Sequence, residues 1–243
     1  MQSVLLLVHR IPYPPNKGDK IRSYHLLRYL SSRYRVFVGA FVDDPFDLQY
    51  DGEVKALCEQ AMLLPMNPTR RKIASLQGLA TGEALSLPYY RDSRMQSWVD
   101  ATLAREPIES VVVFSSTMAQ FVDGPRYAHL NRIADFVDVD SDKWAQYAAR
   151  ASGVRRWVYR REAAALQVYE RHVAQSFNAV MITMGQFNIL AMCLFDDLET
   201  LVTVASDQIL ALPGVHHVET SIAVRTMKYD TRLAKITPSD AGD

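Results

Sequence analysis

The chain has 243 residues, room for one large domain or two small ones, and 49% of them are apolar, enough for a real core. Lysine plus arginine equals aspartate plus glutamate at 27 each, so no global field recruits nucleic acid or a membrane surface. The two cysteines, Cys58 and Cys193, stand far apart, the N-terminus lacks a signal-peptide pattern, and no apolar run is long enough for a spanning helix. A reduced, cytoplasmic, soluble protein without structural disulfides is expected, with at most peripheral membrane contact.

Residues 4–8 (VLLLV) form a continuous apolar run, short enough for a buried parallel strand. Pro12, Pro14 and Pro15 then keep the chain extended. Asn16-Lys17-Gly18-Asp19-Lys20 makes a charged turn, and Ile21, Tyr24, Leu27 and Leu30 resume at helical spacing. Strand, glycine-bearing loop and helix make the first half of a βαβ unit. Ligands of open α/β sheets sit above such strand ends, and Gly18 lies beside a helix N-terminus that favours negative or hydroxyl-rich groups. The same spacing also suits a purely structural crossover.

Residues 36–42 (VFVGAFV) read as a second buried strand, closed by Asp43, Asp44 and Pro45. A helical segment at 53–60 leads to a third short strand at 61–65. The pattern over 67–97 is weaker: basic Arg70, Arg71 and Lys72, a glycine-spaced stretch, then LSLPYYRDSR. Residues 98–105 look helical. Residues 110–114 (SVVVF) form a strand, with Ser115-Ser116-Thr117 as a helix N-cap. Residues 132–140 (RIADFVDVD) read as a strand ending in carboxylates. Residues 142–175 are a long charged helix broken at Gly153, and 179–183 make one more strand.

This alternation argues for an α/β protein with a Rossmann-like, doubly wound parallel sheet. Three features project from its strand C-terminal ends: the 18–22 loop, residues 115–117, and the carboxylates Asp138, Asp140 and Asp142. That edge is where the architecture places ligands.

Several stretches agree in order and spacing with a known family: PYPPNKGDKIRSYHLL, FVDDP, LSLPYYRD, and DFVDVDSDKW followed by WVYRREAAALQVYER. Residues 1–182 resemble the N-terminal half of bacterial family-4 glycosyltransferases of the GT-B fold associated with exosortase (PEP-CTERM) polysaccharide loci. The resemblance implies a domain over 1–183 that binds a sugar acceptor, with hexosyl transfer from a nucleotide sugar to an exopolysaccharide or a lipid-linked acceptor. A nucleotide sugar is then the donor substrate, and no tightly bound cofactor is expected. Such transfer needs an acceptor hydroxyl to lose its proton and a nucleoside diphosphate to leave. Gly18, Asp19 and Lys20, with Arg22, match the family's first loop and are candidates for acceptor binding, as is Ser115. Asp138 falls where related enzymes carry a His or Asp and is the candidate catalytic residue. Asp140 and Lys143 are candidates to fix that loop, although Asp140 or Ser141 also reads as a helix cap.

The donor-binding half of that family is not matched. About sixty residues follow position 183, too few for a second Rossmann-like domain, and no Glu-x7-Glu donor motif follows residue 185. Transfer is therefore expected to need a partner that carries the donor site.

Residues 187–195 (FNILAMCLF) read as a strand, Asp196 or Asp197 caps a helix ended by Pro213-Gly214, and 218–226 (VETSIAVRT) alternates as a second strand. This is half of a ferredoxin-like unit, a partial β-α-β segment over 184–237 ahead of a disordered tail at 238–243. From Gly185 to Tyr229 the sequence is similar to the effector-binding domain of Lrp/AsnC regulators. The resemblance implies effector binding at Gly185 and Asn188, where Asn replaces the usual Asp, and association as a homodimer. The chain then looks like a fusion of two half-families.

Other constellations are plainer. His216-His217 lacks a Cys or carboxylate pair, and adjacent strand residues face opposite ways, so no metal site is expected. Arg155, Arg156, Arg160 and Arg161, with Trp157 and Tyr159, suit a phosphate or membrane face, or a solvated face paired with Glu162 and Glu170. His9 ends the first strand, within reach of the cleft or as a buried, bonded histidine. Two functions follow: a glycosyltransferase acceptor-binding half, or a non-catalytic amino-acid-sensing or oligomerisation protein.

Overall fold

A computed structural model describes residues 1–181, with 202, 203 and 210. Six strands, β1 (Ser3–Val8), β2 (Arg35–Val42), β3 (Gln60–Pro65), β4 (Ile108–Phe114), β5 (Asn131–Asp135) and β6 (Ala179–Met181), form one sheet. All pairings are parallel, in the order β3-β2-β1-β4-β5-β6. The protein is thus a Rossmann-like, doubly wound α/β fold. Order reverses between β1 and β4, which pair directly with Leu6 opposite Val112. This is the topological switch point.

The strands are apolar on both faces because helices cover both faces. Successive residues of β1 feed two separate cores. Leu5 and Leu7 join Phe37, Phe41, Val111 and Val113, under Met95 and Val99 of α6 (Ser93–Arg105) and Val173 of α8 (Gly153–Ser176). Val4, Leu6 and Val8 join Val36, Val38 and Phe114, under Leu27 and Leu30 of α1 (Gly18–Ser31) and Val54 of α2 (Asp51–Lys55). Burying each such side chain is worth about 1.5–3 kcal/mol, so a one-residue slip would exchange both layers at once. At Gly39 of β2 the packing leaves no room for a side chain. A Cβ there would lie 2.8 Å from Leu7 Cδ2 and 2.9 Å from both Met95 Sδ and Trp98 Cζ3.

The weakly patterned 67–97 stretch contains three short helices, α3 (Pro68–Ser75), α4 (Gln77–Thr81) and α5 (Ser86–Tyr90). Asn67 starts the first, its side chain accepting from the N–H groups of Thr69 and Arg70, with Pro68 in the first turn. The expected 53–60 helix is only the five-residue α2. The chain turns back after it, and Glu59 N–H donates to Val36 O.

Three other expectations change. β5 stops at Asp135, not 140, because Val137 takes a left-handed backbone (φ +63°) and donates its N–H to the Asp135 side chain. Ser115 does not cap through its hydroxyl. It sits at φ +86°, and its Oγ lies 3.1 Å from Thr117 Oγ1 ahead of a 3-10 turn at Ser116–Phe121. Neither Asp140 nor Ser141 is the cap of α7 (Asp140–Arg150), because Val139 holds that position. The break at Gly153 is real: α7 ends at Arg150 and α8 begins at Gly153 with φ +56°. The ferredoxin-like unit, the 183/184 boundary and the tail lie outside the described residues.

Candidate functional site

β1 ends at Val8 and delivers His9 and Arg10 to the C-terminal edge beside the switch point. Arg10 joins two elements. Its Nε donates to both oxygens of Asp43, just after β2, at 3.1 and 3.0 Å, and its Nη1 donates to Asp19 of α1 at 2.7 Å. His9 Nε2 lies 3.4 Å from the same Asp19 carboxylate. The imidazole stacks on Phe114, the last residue of β4, with centroids 6.0 Å apart, and meets Tyr90 of α5 edge-on at 6.1 Å. Its Nδ1 is buried and has no hydrogen-bond partner among the described residues.

The charges here are unequal. The hydrogen bond with His9 holds the Asp19 carboxyl far below the usual carboxylate range; burial opposes this and the Arg10 charge reinforces it. Burial pushes the Tyr90 phenol well above its ordinary value, so it is neutral at any working pH. Asp140, at the start of α7, moves the other way from Asp19. Burial raises it against the pull of Lys143 and His9, and Asp138 adds to the rise. Lys143 Nζ is 3.9 Å from Asp140 Oδ1.

The candidates drawn from sequence separate into those at the crevice and those spent on structure. Asp19 joins His9, and Asp138 is exposed on the turn after the left-handed Val137, with its charge acting on Asp140. Ser115 follows β4 at the same edge. A β-branched Val137 and Ser115, both at positive φ, place two strained positions beside one crevice, a common mark of functional loops. Gly18 opens α1, exposed and with empty space around it.

Lys20 belongs elsewhere: it is 1% exposed and pairs with Asp47 at 2.6 Å, so its ammonium ties α1 to the 3-10 turn at Pro45–Tyr50 rather than meeting a ligand. Arg22 donates to both Asp135 oxygens at 2.7 and 2.6 Å and lies over Phe114, clamping α1 to the end of β5. Burial raises the Asp135 carboxyl, with the Val137 N–H and Arg22 opposing. Gly185 and Asn188 lie outside the described residues.

Arg10, Tyr90 and Asp135 are not among the candidates drawn from sequence. The available signal was position: Arg10 and Asp43 follow β1 and β2 almost directly, where an α/β sheet exposes its edge. Glu162 and Glu170 are a correction. Both are buried and neither pairs with the arginine stripe. Glu162 accepts from the N–H groups of Leu85 and Ser86, and Glu170 from the N–H and hydroxyl of Ser141. No cluster of potential metal ligands occurs among the described residues. Nor, among them, is any helix long and apolar enough to cross a membrane.

The site can do one kind of chemistry directly. The ionised, partly exposed Asp19 carboxylate can accept a hydrogen bond from a bound hydroxyl, whereas the buried Nδ1 of His9 cannot reach one. The neighbouring Asp138 and Asp140 offer acceptors to further hydroxyls.

The fold and this edge define a Rossmann-like α/β protein with a polar, carboxylate-rich sheet edge at the switch point. The family model for the Lrp/AsnC ligand binding domain matches residues 176–233. Within the described part of that match, Ser176 ends α8 and β6 pairs with β5 through Ile133 and Ala179. No curated protein and no solved structure matches the chain.

Proposed function

We propose that the Rossmann-like body is the acceptor-binding half of a cytoplasmic glycosyltransferase system, acting on an exopolysaccharide or lipid-linked sugar with a nucleotide sugar as donor. The observation that carries this reading is the His9–Asp19 pair at the switch-point edge. Its ionised, partly exposed carboxylate accepts a hydrogen bond from an acceptor hydroxyl, and the Asp138 and Asp140 carboxylates beside it can bind neighbouring hydroxyls. Sequence resemblance over 1–182 supplies the reaction class. The donor diphosphate would be held by a second Rossmann-like body, so transfer depends on a partner that brings one.

The test is twofold. Oligosaccharide binding by calorimetry is expected for the wild type and lost in Asp138→Asn, while the purified chain alone leaves nucleotide sugars intact. Nucleotide-sugar hydrolysis by the chain alone would overturn the dependence on a partner, and unchanged binding by Asp138→Asn would overturn the acceptor site.

A second reading rests on the family match over 176–233. In it the C-terminal segment senses an amino acid or drives homodimer formation, without catalysis. It predicts amino-acid-dependent changes in size-exclusion elution, which the transferase reading does not.

A further inference from the structure

The helix α8 carries five arginines, Arg155, Arg156, Arg160, Arg161 and Arg171, against two carboxylates, Glu162 and Glu170. Both carboxylates are buried and bonded to the Leu85–Ser86 and Ser141 backbones, so neither neutralises the helix surface. The guanidinium groups of Arg155, Arg156, Arg160 and Arg171 have no hydrogen-bond or ion-pair partner among the described residues. The first turn holds no acidic residue, so Arg155 and Arg156 sit at the positive end of the helix dipole, which costs stability unless an anion is present.

The same face is apolar between its charges. Arg156, Trp157, Arg160, Ala164, Val168 and Arg171 recur at helical spacing, opposite the buried Glu162, Leu166, Glu170 and Val173. Trp157 is 59% exposed, Val168 68% and Val154 78%. Gly153, Arg156, Trp157, Arg160 and Arg161 line an open groove of about 400 Å³. Between α7 and α8, Trp144, Tyr147 and Tyr159 form an aromatic cluster with centroids 5.2–6.2 Å apart.

We propose that the exposed face of α8, centred on Trp157, docks the protein on an anionic lipid surface. Arginines alone would serve any polyanion. Exposed valines gain nothing from a nucleic-acid backbone or an acidic peptide, but they and the indole gain from the boundary between headgroups and acyl chains. Arginine stems cover apolar surface while their guanidinium groups reach the phosphates. Overall charge is balanced at 27 each, so no net charge draws the molecule as a whole to an anionic surface.

The test is co-sedimentation of the full chain with vesicles of phosphatidylcholine alone or with about a third phosphatidylglycerol. Binding is expected only to the anionic vesicles and weakens as salt rises. Arg156→Gln and Arg160→Gln should each lower partitioning about fivefold. Trp157→Ala should weaken binding equally at low and high salt, and Trp157→Phe should restore most of it. Urea midpoints report folding, and these exposed substitutions should not lower them. Absence of binding to anionic vesicles, wild-type partitioning by the double arginine variant, or tighter binding to duplex DNA or polyglutamate than to vesicles would each overturn the proposal. So would a homodimer whose formation protects Trp157 from quenching and is broken by Trp157→Ala.

Discussion

Glu162 and Ser86, separated by 76 residues, are joined by two hydrogen bonds: the Ser86 N–H at 2.9 Å and its hydroxyl at 2.6 Å both donate to one carboxylate oxygen. The other oxygen takes the Leu85 N–H at 2.6 Å. A buried carboxylate of α8 thereby holds the N-terminal end of α5, the helix that ends in Tyr90, whose ring meets His9. The position of Tyr90 against His9 is therefore set by a residue distant in the chain.

Removing that carboxylate leaves two part-buried backbone N–H groups without partners. Glu162→Ala should lower the unfolding free energy by about 2–4 kcal/mol, and Glu162→Gln by about 1–3 kcal/mol. Urea unfolding followed by circular dichroism measures both. A change below the error of the extrapolation would mean the clamp is dispensable.

Asp19 and Asp140 should show opposite pH signatures. Asp19 is held below its ordinary value of 3.8, so its contribution is complete above that pH and fades as pH falls towards the lower folded value. Asp19→Asn should cost about 1–2 kcal/mol at pH 7 and progressively less below pH 4. Asp140 is raised, so its charge opposes folding once pH climbs through the folded value. Asp140→Asn should therefore stabilise the protein at pH 7 and make no difference near pH 3. Unfolding curves across pH 3–7 would reveal a shared sign if the electrostatics were assigned wrongly.

Gly18 stands at the start of α1 outside the left-handed region, and an added Cβ would meet nothing within 4 Å. Folding gives no reason for glycine there. Gly18→Ala should leave stability unchanged or raise it by about 0.5–1 kcal/mol. If acceptor binding drops in this variant at unchanged melting temperature, the glycine serves close approach of a ligand. Loss of stability instead would mark the loop as structural.

Gly39 is the reverse case. Gly39→Ala places a methyl against Leu7, Met95 and Trp98 in the middle of the sheet, and should destabilise by about 1–3 kcal/mol. A wild-type thermal midpoint would show that the layer between β2 and α6 has slack.

Much of the fold could be read from local pattern alone. The VLLLV, VFVGAFV and SVVVF runs are apolar on both faces, and runs of that kind require helices above and below a parallel sheet. The edge that would bear the site followed from the same alternation, because strand-to-helix turns in such a sheet all open on one side. Partner choice was another matter. Nothing in the spacing says that Lys20 finds Asp47, that Arg22 crosses 113 residues to Asp135, or that Glu162 turns inward and leaves the arginines of α8 uncompensated. Apolar burial is non-directional and set by composition along a stretch, so the sequence carries it locally. A charged side chain is directional and satisfied by whichever donor or acceptor the folded backbone brings within about 3 Å. Only the tertiary arrangement decided which charges hold the fold together and which stay uncompensated on the surface.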